Sequence, residues 1–333
     1  MGLSGECYGA LKTGFYSQKC VSTKTTRESS GSWTRTRTVT SSVDVEHTVR
    51  SAMAEAFNDD PSIVAALLRM HFHDCFVKGC DASILLDRNG DGGDTEKKAG
   101  ANLSVRGYEV IDDIKSILET KCPRVVSCAD IITMATRDAV FFSSGGEIEY
   151  GVETGRLDGK ESRASNVILP SPTVSVSDSI KAFKQKGLGV NDMVYLLGGH
   201  TVGVAQCGFF EDRLYNFKGS SRPDPTMDPS LVRKLRFQCP RGSLSSAFLD
   251  QTPGSSMVMD ESFYNQIMMN RGVLEIDQKL ANDGQTRNIV SALATGLVDF
   301  RHKFGEAMVK MGRIGVITDA TKGEIRRSCR ATN

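Results

Sequence analysis

Apolar residues recur at helical spacing along most of the chain. In DPSIVAALLRMHFHDCF, Asp60 to Phe76, the positions Val64, Leu67, Leu68 and His71 share one face. That pattern predicts a helix with Asp60 as its N-cap and Pro61 at its first turn. RGYEVIDDIKSILETKC places Val110, Ile114, Ile117 and Leu118 on one face. FRHKFGEAMVKMGRI does the same with Phe300, Phe304, Met308 and Met311. NDMVYLLGGHTVGVAQC reads as a further helix, capped at Asn191 or Asp192 and carrying Gly198, Gly199 and His200. Turn residues between Gly90 and Gly93 mark a loop, and Leu169 to Val174, LPSPTV, an extended connector. There is no long strand-like alternation and no internal repeat, so the expectation is a mostly α protein with very little β.

One stretch breaks the pattern. Residues 21–43, VSTKTTRESSGSWTRTRTVTSSV, contain thirteen Ser or Thr among twenty-three residues, with four basic residues and the single Trp. So little apolar surface cannot offset the entropy of ordering, and the segment is expected to be a disordered insertion.

Composition adds few constraints. A chain of 333 residues with 39% hydrophobic and 24% charged residues is ordinary for a globular protein of one large domain or two lobes. A net charge of +1 gives no reason to expect nucleic acid as a partner. No apolar run reaches the roughly 18 residues that span a bilayer. The nine cysteines change the picture more. They are scattered instead of forming paired C-x-x-C motifs, as expected for disulfides made in an oxidising compartment. The start, MGLSGECYGA, lacks the apolar core of a signal peptide but ends in small residues. Residues 1–10 therefore read as a truncated signal remnant. Cys7 would go with it, leaving eight cysteines in a secreted chain.

Candidate chemistry concentrates in LLRMHFHDCFVKGCDASILLD, Leu67 to Asp87. Residues four apart on a helix share a face, so Arg69 and His73 point the same way, with Phe72 beside them. A fixed guanidinium and a neutral imidazole together stabilise an anion and shuttle a proton; the bland alternative is a surface cation pair. Reading His71 and His73 as zinc ligands is poor geometry, because residues two apart on a helix diverge by about 200°. Asp74, Asp81 and Ser83 offer hard oxygens in a tight loop, a set suited to calcium, or else simply an acidic helix end. His200 follows two glycines that each cost a helix about 1 kcal/mol, which fits close approach of a flat, bulky group. A satisfied core histidine is the competing reading.

Several motifs in order then carry a resemblance. RMHFHDCFVKGCDASILLD, EKKAGANLSVRGYEVID, CPRVVSCADI, LLGGHTVGVAQC, PDPTMDPSLVRKL, GVLEIDQKLA and MVKMGRIGVITDATKGEIRRSCR together resemble a class III secretory plant haem peroxidase. The likeness runs from Leu11 to Asn333, apart from the Ser/Thr-rich segment. It implies a single peroxidase domain over 11–333: a distal lobe to about 175, a proximal lobe over about 176–318, and a tail tied back through Cys329, with haem b between the lobes. His200 would be the axial iron ligand and Asp277 the carboxylate behind it. Arg69, Phe72, His73 and Asn102 would form the catalytic side, and Pro170 and Phe209 would face substrate at the haem edge. A distal calcium would take Asp74, Val77, Gly79, Asp81, Ser83 and, through water, Glu96. A proximal one would take Thr201, Asp250, Thr252, Val258 and Asp260. Implied disulfides are Cys20–Cys122, Cys75–Cys80, Cys128–Cys329 and Cys207–Cys239, and Asp130–Arg156 is implied as a structural ion pair. The implied partners are hydrogen peroxide and small phenolic reductants, for a secreted monomer of cell wall or vacuole. Asn102 also occupies the only N-x-[ST] triplet and is expected to be unglycosylated because it would be buried.

The chain departs from the family pattern in three places. About twenty extra residues follow Cys20, the loop between Thr252 and Asp260 is long, and Gly100, Glu153 and Thr173 differ from common members. The rival reading is a peroxidase-like wall protein that binds calcium but has lost activity.

Overall fold

The computed structural model describes residues 11–30, 33–90 and 92–333; the expected signal remnant and Cys7 lie outside them. An antiparallel ribbon of β1 (Val21–Ser30) and β2 (Trp33–Ser42) comes first. Helices α1 (Val45–Asp59), α2 (Ile63–Val77), α3 (Tyr108–Lys121) and α4 (Cys128–Ser143) follow. Next come α5 (Val176–Gln185), α6 (Val190–Leu197), β3 (Val204–Gln206), α7 (Glu211–Tyr215) and α8 (Pro229–Gln238). The chain ends through β4 (Ser246–Phe248), α9 (Ser262–Met268), α10 (Glu275–Asn282), α11 (Arg287–Ala294) and α12 (Phe300–Met311). The fold is mostly helical, as the spacing of apolar residues predicts.

Helix α4 is the axis of the first half. It is buried almost end to end, and α1, α2 and α3 pack around it. Its start is held by Ser127, whose hydroxyl accepts from the Asp130 amide at 3.1 Å. Asp130 in turn pairs with Arg156 at 2.7 Å and accepts from the Tyr16 hydroxyl at 2.6 Å, all three side chains being buried. In the second half α6 packs on α12, and α9 on α10 and α11. Phe300, Phe304, Met308 and Met311 of α12 all face the core, as their spacing predicts. Disulfides join Cys20–Cys122, Cys75–Cys80, Cys128–Cys329 and Cys207–Cys239.

Four local expectations need correction. Within the expected disordered insertion, 21–43, the described residues form a paired ribbon, with β1 and β2 matched from Val21↔Ser42 to Ser30↔Trp33. Thr and Val side chains fit a pleated surface, and the two strands satisfy their backbone amides on each other. A lone hairpin is marginal, and this one is anchored where the Val43 amide donates to the Cys20 carbonyl at 2.8 Å, beside the Cys20–Cys122 bridge. Helix α2 begins at Ile63, not Pro61, because Asp60 ends α1 and its carboxylate accepts from the Ser62 amide at 2.9 Å, making a turn. On α3 the buried face is Ile111, Ile114, Lys115 and Leu118, leaving Ile117 exposed. Helix α6 stops at Leu197 and continues only as a 3-10 turn, Gly198–Thr201. There the backbone is pressed onto its neighbours, so that a Cβ on Gly198 would collide with the Tyr264 hydroxyl and the Phe300 ring. The N-terminus of α6 is tied by the Gly189 amide donating to Asp192 at 2.9 Å.

Candidate active site

Helical spacing sets the first pair of the site. Arg69 and His73 stand one turn apart on α2, with the Arg69 Nε–H donating to His73 Nε2 at 3.4 Å. The short turn at Gly100–Asn102 then approaches this face. Asn102 Oδ1 lies 2.6 Å from His73 Nδ1, and the Asn102 amide group donates to the Glu96 carbonyl at 2.8 Å. An acceptor at that distance places the imidazole proton on Nδ1 and leaves Nε2 as a proton acceptor. Burial lowers the pKa of His73 to about 4; the Asn102 contact opposes this and the Arg69 charge adds to it. The imidazole is therefore neutral in mildly acidic to neutral solution. Phe72 packs against His73 and Phe76, with ring centroids 5.9 and 4.1 Å away.

The same loop also grips Arg69. Its guanidinium donates to the Ser104 hydroxyl at 2.9 Å and the Ala101 carbonyl at 2.8 Å. Neither partner was foreseen; the only signal was Ser104 standing two residues after Asn102.

The turn Gly198–Thr201 presents His200. Its Nδ1 lies 2.8 Å from Asp277 Oδ1, a carboxylate 1% exposed at the start of α10. Burial lowers the pKa of His200, but the Asp277 carboxylate outweighs it and the net shift is upward. Phe263 meets the imidazole edge-on, with ring centroids 6.1 Å apart. The His200 side chain keeps 30% exposure, whereas Asp277 behind it is 1% exposed. Arg69 is near enough that its charge opposes protonation of His200, and a Cβ on Gly199 would lie 3.9 Å from Leu68 of α2. The Gly198–Thr201 turn thus lies against the stretch of α2 that carries Leu68 and Arg69.

His71 does not join them. Its Nε2 lies 3.4 Å from Thr133 of α4, on the opposite side of α2 from Asn102. That separation leaves no site shared by His71 and His73. The Cys75 and Cys80 sulfurs near His71 are joined in a disulfide and are not thiolate ligands. Pro170 is half-buried and Phe209 is 44% exposed; among the described residues neither shares a hydrogen bond or ring contact with His73 or His200.

A second oxygen cluster lies behind His73. Asp74, Ser83 and Glu96 are at most 1% exposed, yet Asp74 Oδ1, the Ser83 hydroxyl and both Glu96 carboxylate oxygens have no hydrogen-bond partner. Ser83 is close enough to Glu96 to oppose the rise in its pKa, but its hydroxyl is not in hydrogen-bonding geometry with it. Burial, then the neighbouring Asp81 charge, pushes Asp74 well above the carboxylate range and Glu96 up to about 8; burial likewise raises Asp81. Such mutually destabilised oxygens fit a hard divalent cation. Gly79 supports the loop with φ of +141°, where any Cβ would collide with Gly315. The Val77 carbonyl accepts from Lys186 Nζ at 3.0 Å.

A third cluster joins Thr201, Asp250, Val258 and Asp260. Thr201 Oγ1 donates to Asp260 at 3.0 Å and lies 3.5 Å from the Val258 carbonyl. Thr252 joins through its amide, which donates to Asp250 at 2.9 Å, while its hydroxyl accepts from Gln266 at 2.9 Å. Ser255 and Ser262 enter this cluster unforeseen.

A helical fold with one histidine backed by a buried carboxylate and another flanked by a guanidinium and an amide defines a class of protein: an enzyme equipped for proton transfer. Comparison with known sequences narrows it. The peroxidase family profile matches residues 49–296. Peroxidase 60 of Arabidopsis thaliana is 52% identical over 328 residues, covering 98% of this chain and 91% of that protein. Peroxidase 57 of the same plant is 47% identical, covering 98% and 94%, and Peroxidase 44 is 45% identical, covering 99% and 96%. The chain belongs to the peroxidase family, in its class III plant branch, and is a haem peroxidase.

Proposed function

We propose that this peroxidase is secreted, works as a monomer, and uses hydrogen peroxide to oxidise small phenolic donors, with haem b held between α2 and the Gly198–Thr201 turn. What supports this reading most is the Asn102–His73–Arg69 chain together with the His200–Asp277 pair. The haem, when bound, supplies the iron at which the peroxide bond is cleaved and through which donors lose single electrons. The residues present fit it: Asp277 engages His200 Nδ1 and so leaves Nε2 for the iron. A carboxylate in that position raises the basicity of a ligating imidazole.

The other steps fall to side chains. His73 Nε2 takes a proton from the incoming peroxide and returns it to the departing oxygen. Asn102 keeps the ring in the tautomer that can do so. Arg69 stabilises the anionic charge that develops, and Ser104 and Ala101 hold its guanidinium in place. Phe72 keeps bulky donors away from the reacting atoms, so that they give up electrons near Pro170 and Phe209. Asp74, Asp81, Ser83 and Glu96, with the Val77 and Gly79 carbonyls, would hold one calcium ion. Thr201, Asp250, Val258 and Asp260 would supply the second site, with Thr252 a weaker candidate. No helix among the described residues is long and apolar enough to cross a membrane.

The test is His73→Ala in refolded protein loaded with haem. The expected result is a normal haem absorption band with peroxide reactivity reduced by a factor of about 100 to 10,000. Unchanged reactivity would reject the assignment of His73.

A further inference from the structure

The two oxygen clusters resemble each other in composition but differ in how their charges are met. Behind His73, four buried side-chain oxygens on Asp74, Ser83 and Glu96 have no partner within the protein. Around Thr201 the situation is the reverse. Asp250 Oδ2 accepts from the Ser262 hydroxyl at 2.7 Å, and Asp250 Oδ1 from the Thr252 amide at 2.9 Å. Asp260 Oδ1 accepts from Thr201 at 3.0 Å and from the Ser262 amide at 2.9 Å, while its Oδ2 accepts from the Ser255 hydroxyl. Ser262 Oγ also lies 2.5 Å from Asp260 Oδ1 and 3.0 Å from Ser255 Oγ; each hydroxyl has one proton, so Ser262 serves as donor to Asp250 and Ser255 as donor to Asp260. Every carboxylate oxygen of this pair has a donor from the chain itself. Ser255 reaches Asp260 from the long loop between Thr252 and Asp260.

We propose that the hydroxyls of Ser255 and Ser262 close the Asp250–Asp260 pair from within, so that this chain holds one calcium ion tightly, behind His73, and takes a second only weakly. A buried carboxylate with no donor gains the most from a cation. A carboxylate already hydrogen-bonded must give up those bonds first, and bonds to charged groups are among the stronger ones in proteins. This inference rests on the reading of both clusters as calcium sites. It deepens that reading by assigning the difference between them to two serines.

The experiment counts ions. Holoprotein saturated with calcium and then dialysed against calcium-free buffer should retain one ion per chain by atomic emission. Asp74→Asn should lose that ion, and Asp260→Asn should keep it. Titration calorimetry on Ser255→Ala/Ser262→Ala should show the second calcium binding about tenfold more tightly, because the competing hydroxyl donors are gone. Two ions retained by the parent chain, with one lost in each aspartate variant, would overturn the inference while leaving both sites as calcium sites. Weaker second binding in the serine variant would also overturn it, since the hydroxyls would then be ligands. No retained ion, together with no calcium-dependent rise in unfolding temperature, would reject the calcium reading itself. Should Asp74→Asn fail to fold, the parent and Asp260→Asn counts still decide.

Discussion

Replacing Asn102 by alanine tests the distal arrangement most directly. Asn102 is 2% exposed, accepts from His73 Nδ1 at 2.6 Å and donates to the Glu96 carbonyl at 2.8 Å. Its removal leaves the buried His73 Nδ1–H without a partner, which costs about 1–3 kcal/mol of stability, whereas the Glu96 carbonyl keeps its bond from the Ala99 amide at 3.1 Å. The kinetic loss is smaller. The bond that selects the Nδ1–H tautomer is worth about 0.5–1.5 kcal/mol, and 1.4 kcal/mol corresponds to a factor of ten. The second-order rate constant with peroxide, followed by stopped-flow absorbance of the haem, should therefore fall about tenfold. Asn102→Asp separates positioning from mere scaffolding. A carboxylate there stabilises the imidazolium and lifts the His73 pKa from about 4 toward neutrality. The aspartate variant should be slow at about pH 5 and recover toward about pH 8, whereas the alanine variant stays uniformly slow over that range. Rates within twofold of the parent for both variants, at every pH, would refute the argument.

Three further outcomes are expected. His200→Ala should lose haem during gel filtration while retaining the helical circular dichroism of the parent, because it removes the proposed iron ligand and leaves the core untouched. In the parent enzyme the peroxide rate constant should be level above about pH 5 and fall about tenfold per unit below about pH 4. The sign follows from the proposed role of His73 as a base: only the neutral ring accepts a proton, and burial keeps it neutral down to that pKa. Replacing Val21–Ser42 with two glycines should leave activity within twofold and the melting temperature within about 3 °C, because loop length enters stability only logarithmically. The 2.8 Å bond between Val43 and Cys20 shows that the ends of the ribbon already meet. A collapse in folding yield would show instead that the ribbon props up the Cys20–Cys122 region.

What the sequence by itself determined lies within a helical turn or two. Arg69 and His73 share a face because residues four apart on any helix do. The apolar stripe of α12 is legible for the same reason, and the motifs in their order suffice to mark the family. The ends of elements were less legible, because capping and turn bonds compete over one or two residues, as Asp60 and Ser62 illustrate. Tertiary structure decided the rest. Asp277 reaches His200 across 77 residues of chain, and Asn102 reaches His73 across 29. The α6 helix stops short of His200 because Tyr264 and Phe300 press on Gly198, and Ser104, Ser255 and Ser262 gain their roles only from what they touch. Local periodicity reports neighbours along a helix. The partners that set tautomers, complete the hydrogen bonding of carboxylates and leave oxygens free for a cation are brought together only when distant segments pack.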